Sequence, residues 1–199
     1  MNITRYNYTG RNKITAMDID KNGNIWIGFA ATAGSCHLYK VSGTDNTTIL
    51  FDITVPVDEI TKIRTDKLSR YSSSYIYLAV DDSTYYAAIY EKDNPLGEYY
   101  YINRPTGVIE KTVDLGIGDD FLYYLTPGIL SGETAKVIVT DWGTVPEEEE
   151  TVVLTAINNA RTCTGDSAGN LWILTYQNPI KLIRFYYNSG YTFTSWDII

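Results

Sequence analysis

The chain has 199 residues, of which 44% are hydrophobic and 20% charged, a composition typical of a folded protein and not of a disordered segment. Lys and Arg number 16 against 24 Asp and Glu, for a net charge of −8, so we expect no nucleic-acid partner, because phosphate contacts need basic patches. One His and two Cys are too few for a zinc site built from these residue types.

The apolar runs and the first residues bear on location. No run of 18 apolar residues occurs, so no membrane-spanning segment and no membrane insertion are predicted. Residues 1–6 contain no apolar core of the kind that a signal peptide needs. We therefore expect synthesis in the cytoplasm.

The first predicted element is a short strand over residues 3–8, which precedes the repeated part of the chain. An unpaired strand edge promotes aggregation, so we expect this strand to pair. Its partner is either the strand at residues 191–196 or a strand of a second molecule.

The rest of the chain consists of four similar repeats. Each contains a short apolar strand with an aromatic residue at its third position, and these marker aromatics recur about every 49 residues. The marker aromatics are Trp26, Tyr77, Tyr124 and Trp172. The repeats cover approximately residues 11–56, 57–107, 108–156 and 157–199. We predict one domain, residues 1–199.

Each repeat contains four short runs of alternating or apolar residues. In the first repeat these runs lie at residues 14–19, 24–28, 36–41 and 48–51. A period of two predicts β-strands, and no segment has a helical period of useful length. Four-stranded repeats of this length are typical of the blades of a β-propeller.

Two repeats share a turn before the marker strand. Residues 20–24 read Asp-Lys-Asn-Gly-Asn and residues 166–170 read Asp-Ser-Ala-Gly-Asn, each followed by one apolar residue and then Trp26 or Trp172. Asn and Gly accept the positive φ angles of hairpin turns. The other two repeats keep the strand but lack this turn.

This pattern resembles the blade repeats of sensor-type (two-component regulator) propellers, and it is similar to those of NHL-type and streptogramin-lyase-like propellers. The resemblance implies an all-β fold, either a small β-propeller of four four-stranded repeats or half of a larger ring completed by another subunit. Propellers bind, scaffold or catalyse, so the fold does not fix the function. The lyases act through His residues of the blade loops, whereas the one His of this chain, His37, lies in a predicted strand.

Two features could carry chemistry. Residues 18–24 resemble the start of a calcium loop, but the twelfth position is Phe29, where a calcium loop needs Glu; we interpret the segment as a hairpin turn. Nothing in the sequence identifies partners for His37 in a catalytic triad, because triad residues meet only in space. We predict no catalytic residue, no metal ligand and no cofactor.

The marker aromatics have two interpretations. Aromatic platforms repeated in each blade are typical of sugar-binding propellers, and recurrent aromatics are also what the packing of one blade on the next requires. We favour packing, and we expect Trp26 and Trp172 to be mostly buried between blades.

Five tyrosines are the candidate binding residues. They form two clusters, Tyr99, Tyr100 and Tyr101 in the second repeat and Tyr186 and Tyr187 in the fourth. Because consecutive residues of a strand face opposite sides, at least one Tyr of each cluster should face away from the core. Exposed Tyr is enriched at interfaces, although ordinary outer-strand positions also explain the clusters.

Three functions fit the sequence. The favoured one is a non-enzymatic interaction or structural module that binds other protein subunits of a larger assembly, for which a virus particle is one setting. The alternatives are a glycan-binding propeller, with a glycan as partner, and a propeller lyase or hydrolase. The latter would use paired carboxylates of the turns, Asp81 with Asp82 or Asp119 with Asp120.

Overall fold

A computed structural model describes residues 13–32, 34–65, 75–93, 95, 99–118, 121–141, 148–187 and 191–198, without the side chains of residues 148, 149 and 191. Within these ranges the chain forms sixteen β-strands and no helix. The strand predicted at residues 3–8 lies outside the described residues, so its pairing stays a prediction.

The strands form four sheets, each built from four consecutive strands. The first sheet contains β1 (Ile14–Ile19), β2 (Ile25–Thr32), β3 (Ser35–Val41) and β4 (Ile49–Val55). The second contains β5 (Glu59–Thr65), β6 (Tyr75–Asp81), β7 (Tyr85–Glu91) and β8 (Tyr99–Asn103). The third contains β9 (Asp114–Ile117), β10 (Phe121–Thr126), β11 (Lys136–Asp141) and β12 (Glu148–Val153). The fourth contains β13 (Ala160–Gly165), β14 (Leu171–Thr175), β15 (Ile180–Tyr187) and β16 (Tyr191–Ile198).

Every sheet is an antiparallel meander in which the spatial order of the strands follows the chain. The hairpins place the β-branched and aromatic residues of each run on a pleated surface, where such residues pack well. The predicted all-β fold of four four-stranded repeats is confirmed.

The sheets pack face to face in chain order. Contacts join the first strands of successive sheets, β1 to β5, β5 to β9 and β9 to β13, so we call these four the inner strands. Within the described part of the chain, no comparable set of contacts joins β1 to β13.

The burial patterns show which faces are covered. Residues 76–80 of β6 and 122–126 of β10 are buried without interruption, because the second and third sheets are each packed between two neighbours. In β14, by contrast, buried and partly exposed residues alternate. Among the described residues, the fourth sheet is therefore packed against another sheet on one face only.

Three apolar clusters fill the spaces between successive sheets. Trp26, Leu38 and Ile63 belong to the cluster between the first and second sheets, and Tyr77 and Tyr124 to the next one. The cluster between the third and fourth sheets includes Tyr123, Val137, Cys163, Ile173 and Phe185. These interfaces supply the apolar burial that stabilises the stack.

Candidate interaction surface

The turn between β1 and β2 is built around one carboxylate. Asp20 Oδ1 accepts hydrogen bonds from the backbone N–H groups of Asn22 and Asn24, at 2.9 and 3.0 Å. Asp20 Oδ2 accepts a hydrogen bond from the Trp26 indole N–H at 3.3 Å. Gly23 has the positive φ of 82° that the turn requires. The segment is a hairpin turn, as predicted.

The turn between β13 and β14 repeats this arrangement. Asp166 accepts hydrogen bonds from the backbone N–H groups of Ala168 and Asn170, and its Oδ2 accepts one from the Trp172 indole at 2.7 Å. Burial favours the neutral acid, but the hydrogen bonds from Trp172 and Asn170 outweigh it and lower the pKa of Asp166.

Trp26 is fully buried because the second sheet covers it. Its neighbour across the hairpin is Lys40, whose ammonium lies 5.4 Å from the centres of both the Trp26 and Phe51 rings. The same ammonium donates to the backbone carbonyl of Lys92 at 3.0 Å and contacts the Asp93 carboxylate at 3.4 Å. A cation stacked on Trp26 thus binds the loop that follows β7 of the second sheet.

The fourth sheet repeats the pair of tryptophan and cation, but no sheet in the described part of the chain covers it. Trp172 is paired across the hairpin with Arg184, as Trp26 is with Lys40. Trp172 is only partly buried and Arg184 is exposed. The Trp172 ring stacks on Trp196, with 6.0 Å between ring centres and 20° between ring planes. The prediction that both tryptophans are mostly buried between sheets is confirmed for Trp26. It does not hold for Trp172, which is partly buried and faces no further sheet among the described residues.

The residues on the same side of the fourth sheet as Trp172 form what we call the outer face. Its apolar members are Trp172, Leu174, Ile180, Leu182, Trp196 and Ile198, as the strand registers show. Trp196, Ile198 and Ile180 are 44%, 45% and 43% exposed. Contiguous exposed apolar patches are enriched at sites of interaction.

The third repeat departs from the predicted alignment by one residue. Tyr124 packs in the cluster between the second and third sheets, so it faces the preceding sheet, whereas Trp26 and Tyr77 face the following one. The residue that faces the fourth sheet is Tyr123, whose hydroxyl donates to the Gly169 carbonyl at 3.4 Å. Tyr123 is therefore the structural equivalent of the other marker aromatics.

The inner strand of the first sheet also has exposed apolar residues. Met17 is 58% exposed and Ile19 is 47% exposed, on the side of β1 opposite Asp18, which bonds to Thr65 of the second sheet. The pairing of each inner strand with the next strand shows which residues correspond to Met17 in the other three sheets. All three are buried against the preceding sheet. These residues are Ile63, Leu115 and Cys163.

The first tyrosine cluster lies on β8 at the edge of the second sheet. Tyr99 is 54% exposed, while Tyr100 and Tyr101 are partly buried against opposite faces of the sheet. The hydroxyls of Tyr90 and Tyr101 are hydrogen-bonded, and the Tyr99 ring stacks on Tyr90 at 5.7 Å. Burial raises the pKa of Tyr101 and of Tyr90. Only Tyr99 of this cluster offers a largely exposed ring.

The second tyrosine cluster is divided between the two faces of the fourth sheet. Tyr186 is 38% exposed on the outer face. Tyr187 turns toward the third sheet and packs edge-on against Phe121, with ring centres 4.8 Å apart. The structure does not bring the five candidate tyrosines into one site, because the two clusters belong to different sheets. As candidate binding residues they remain a prediction.

Buried carboxylates hold the inner strands and one loop in place. Asp114, which is 1% exposed, binds Arg64 at 3.1 Å and Lys62 at 3.5 Å from the second sheet. It also accepts hydrogen bonds from the Thr162 hydroxyl and the Cys163 backbone of the fourth sheet, at 2.7 and 3.1 Å. One carboxylate thus connects three sheets.

The buried carboxylate of Glu110 holds the loop after β10 in place. Its carboxylate is buried and accepts hydrogen bonds from the backbone N–H groups of Gly128, Ile129 and Leu130, at 2.5 to 2.6 Å. The side chains of Ile129 and Leu130 are nevertheless 53% and 47% exposed. The loop is fixed by its backbone while its apolar side chains face outward.

The residues considered for catalysis or metal binding each contact other groups of the fold. His37 Nδ1 lies 2.9 Å from the Asp52 carboxylate on the neighbouring strand. Asp18 accepts from Thr65, and Asp20 holds its own turn. Among the described residues, no group of three His, Cys, Asp or Glu side chains could hold a metal ion, and no helix is long and apolar enough to cross a membrane.

Both cysteines are free thiols buried between sheets. Burial raises the pKa of the Cys36 thiol from 9.0 to about 11, and it raises that of Cys163 well above its usual value. Because the thiolate is the reactive form, both cysteines are poor nucleophiles in the folded chain.

A shallow groove lies on the outer face beside the tryptophan pair. It has a volume of about 380 Å³ and is lined by Ala168, Asn170, Arg184, Tyr186, Thr192 and Thr194. The hydroxyl, amide and guanidinium groups of this lining donate hydrogen bonds, and Tyr186 adds an aromatic ring. The outer face therefore combines an apolar stack with a polar groove.

Several residues that line this surface or hold the sheets together were not predicted from the sequence. The sequence does contain information that points to Lys40 and Arg184, since each is a cation that faces a marker Trp across the hairpin. It contains no such pattern for Asp114 and Glu110, because their partners are distant in the sequence.

No family model matches this sequence, and no curated protein is similar to it. Solved structures do match its fold. The extracellular domain of a one-component system from B. thetaiotaomicron is 13% identical with a TM-score of 0.52, over 95% of this chain and 22% of that one. The Swd1 β-propeller domain of Myceliophteria thermophila is 11% identical with a TM-score of 0.59, over 88% of this chain and 52% of that one.

A third similar structure is an ancestral GH74 enzyme, which is 13% identical with a TM-score of 0.63, over 94% of this chain and 28% of that one. The chain thus spans between about a fifth and a half of the length of these proteins. Their functions differ, so the likeness concerns architecture. Four consecutive antiparallel meanders that pack face to face, together with these neighbours, show that the chain has the β-propeller fold.

Proposed function

We propose that the chain is a non-enzymatic interaction module that binds another protein through the outer face of its fourth sheet. The observation that carries this proposal is the exposed stack of Trp172 and Trp196, flanked by exposed Ile180 and Ile198. Large aromatic residues in an apolar patch are typical of the centres of protein interfaces.

The surroundings of the stack also suit a protein partner. Arg184 and Tyr186 lie at the border of the apolar patch, and Arg and Tyr are the residues that interfaces favour beside Trp. Tyr99, on the edge of the second sheet, is a second candidate contact. The predicted setting is a larger assembly of protein subunits, such as a virus particle, in which neighbouring subunits would cover these faces.

The test is site-specific photo-crosslinking in the cells that produce the protein. A photoreactive phenylalanine analogue replaces Trp196, and a matched control carries it at Ile129, which is similarly exposed on a loop. We expect crosslinks to protein from position 196 in clear excess over position 129. Equal yields at the two positions, or no protein crosslink from position 196, would refute the proposal.

A glycan-binding module is the second candidate, favoured by the polar groove beside the tryptophan pair. Sugar rings stack on aromatic faces while their hydroxyls bind polar side chains. The measurement is a glycan array with the native chain and with Trp172→Ala. Binding that this substitution abolishes, in a chain with an unchanged circular dichroism spectrum, would favour the glycan over the protein partner.

The predicted alternative of a lyase or hydrolase has less support. Of the predicted carboxylate pairs, Asp82 accepts hydrogen bonds from the backbone N–H groups of Thr84 and Tyr85 in its own turn. Asp81 lies 3.8 Å from Arg104 and 3.6 Å from Lys111. Asp119 and Asp120 lie outside the described residues. Turnover of a polysaccharide substrate that is lost in Asp119→Asn would revive this alternative.

A further inference from the structure

A second pocket lies where the loop after β10 meets the start of β13, between the third and fourth sheets. It has a volume of about 430 Å³, a size that fits a small molecule. One wall is the loop after β10, and the other consists of Asn158, Asn159 and Arg161. None of the residues that line it also lines the groove on the outer face, so the two sites are separate.

The loop wall of this pocket is held in one conformation by its backbone. The buried Glu110 carboxylate accepts hydrogen bonds from the N–H groups of residues 128–130. Gly128 has a positive φ of 64°, and a Cβ there would lie 2.2 Å from the Ala135 backbone nitrogen. The two walls are joined by a hydrogen bond from the Asn159 backbone N–H to the Gly128 carbonyl at 3.3 Å. A ligand therefore meets walls that are already fixed, which lowers the entropic cost of binding.

Two side chains of opposite charge line the pocket. Arg161 is exposed, and its guanidinium forms no ion pair or hydrogen bond among the described residues. Glu133, on the loop wall, forms an ion pair with Lys136 that uses one of its two carboxylate oxygens. The pocket thus presents a cation from one wall and a carboxylate from the other.

Amide and apolar groups complete the lining. In the described part of the chain the Asn158 side chain forms no hydrogen bond. The Asn159 Oδ1 is buried and accepts none, while its Nδ2 donates to the Tyr176 carbonyl over a long 3.3 Å. A buried acceptor without a donor costs free energy, and a ligand would supply the donor once this side chain turns into the pocket. Ile129 and Leu130 add apolar side chains that are 53% and 47% exposed.

We propose that this pocket binds a small zwitterion of the amino-acid class that carries an apolar side chain. The ligand carboxylate binds the Arg161 guanidinium, since such pairs form strong hydrogen bonds. Its ammonium donates to the second oxygen of Glu133 and to the Asn159 amide, and its side chain packs on Ile129 and Leu130. Free amino acids and short peptides share this chemistry.

The lining favours a zwitterion over two other small ligands. An anion without an ammonium would face the Glu133 carboxylate without a cation of its own. A neutral sugar would leave the Arg161 charge unpaired, and the residues that line the pocket include no aromatic ring on which a sugar could stack. The inference goes beyond the proposed function, because the ligand is a small molecule and the site is not the outer face.

The experiment is a titration of the native chain with L-leucine, followed by heteronuclear NMR. Two analogues each lack one charge: leucinamide has no carboxylate and isocaproate has no ammonium. We expect leucine to shift the amide signals of residues 128–133 and 158–161 saturably, and each analogue to bind about tenfold more weakly. Leucyl-leucine distinguishes the two sources, because tighter binding than leucine assigns the pocket to short peptides and weaker binding assigns it to free amino acids. No saturable shift with either compound at millimolar concentration would overturn the proposal.

Two variants each remove one charge of the pocket, Arg161→Gln and Glu133→Gln. Lys13→Gln removes an exposed cation just before β1, and Glu59→Gln removes a carboxylate that is paired with a lysine as Glu133 is; both are matched controls and should bind leucine as the native chain does. Arg161→Gln should weaken leucine about tenfold without weakening leucinamide, which has no carboxylate to lose. Glu133→Gln should weaken leucine without weakening isocaproate.

These pairs of variant and analogue separate direct contact from a change of shape. If Arg161→Gln weakens leucine and leucinamide equally, the arginine does not bind the carboxylate and the proposal is overturned. Thermal melts show whether each variant is folded. If a charge variant unfolds, Asn159→Gly removes the amide at a positive φ of 52° that glycine accepts, and Asn46→Gly at 56° is its control. Asn159→Gly should weaken leucine about threefold, and unchanged affinity in both Arg161→Gln and Asn159→Gly would overturn the proposal.

Discussion

The first and fourth sheets have the same local structure in different surroundings. Both contain a turn in which an Asp carboxylate binds the indole N–H of the marker Trp, and both place a cation opposite that Trp. In the first sheet the pair is buried under the second sheet, and in the fourth it is partly exposed. The comparison separates what a repeat specifies for itself from what its neighbour provides.

The turn belongs to the repeat itself. Its hydrogen bonds span at most six residues, so they form in either sheet whether or not another sheet follows. The burial of the Trp, however, requires apolar residues of the next sheet, such as Ile60 and Ile63. A ligand or partner that covers Trp172 would give the fourth sheet what the first already has.

The largest expected difference is in stability. Trp26→Ala should lower the free energy of unfolding by about 3–5 kcal/mol, since it leaves a cavity between two sheets. Trp172→Ala should cost about 1–2 kcal/mol in the isolated chain, because part of the ring is already in water. Urea denaturation followed by circular dichroism measures both. Equal losses would show that Trp172 is covered in solution, and would contradict the exposure of the outer face in a monomer.

The next prediction concerns the carboxylate that ties the third sheet to its two neighbours. Asp114→Asn should cost about 3 kcal/mol, because the change leaves Arg64 and Lys62 beside a neutral group in a largely dry site. The control is Asp52→Asn, which breaks the pair with His37 at a half-exposed position and should cost less than about 1 kcal/mol. The same denaturation experiment measures both, and similar losses would mean that Asp114 contributes no more than a surface pair.

A smaller effect is expected from the two matched turns. Asp20→Ala should cost about 2 kcal/mol, because Asp20 is 4% exposed and the change leaves the Trp26 indole without an acceptor in a buried site. Asp166→Ala should cost about 1 kcal/mol, because water can replace the lost acceptor in the more open fourth sheet. Thermal melts rank the two variants. A larger loss in Asp166→Ala would show that burial does not control the strength of the turn.

Much of the architecture could be predicted from the sequence. The inner strand Ile14–Ile19 was predicted at its observed bounds, because its alternation of side chains is local information. The turn at Asp20 was likewise predictable, since Asn and Gly at fixed spacings specify it. Repetition at about 49 residues then implied four equivalent sheets.

The errors arose where local information ends. Tyr123 and Tyr124 are adjacent aromatics in one strand, and a shift of one residue reverses the face of a strand, so a pattern alone could not decide which one faces the fourth sheet. The exposure of Trp172 depends on whether a further sheet covers it, which the repeat does not encode. Asp114 was not recognised because its partners Arg64 and Thr162 are each about 50 residues away.

An alkaline loss of stability compares the two ends of the stack through their thiols and has no effect at neutral pH. Cys36 lies between the first and second sheets and Cys163 between the third and fourth. Burial raises the pKa of Cys36 from 9.0 to about 11 and raises that of Cys163. A pKa that is higher in the folded chain favours the folded state below the unfolded value and loses this contribution as the pH rises. Stability should therefore be constant up to about pH 9 and decrease between about pH 9 and 11.

Melting temperatures across this range, for the native chain and for Cys36→Ala and Cys163→Ala, measure the slope of this decrease with pH. Each substitution should make the decrease shallower, because one group that binds a proton more tightly in the folded state is gone. A slope unchanged in both variants would assign the alkaline loss to the buried tyrosines, whose pKa values are also raised.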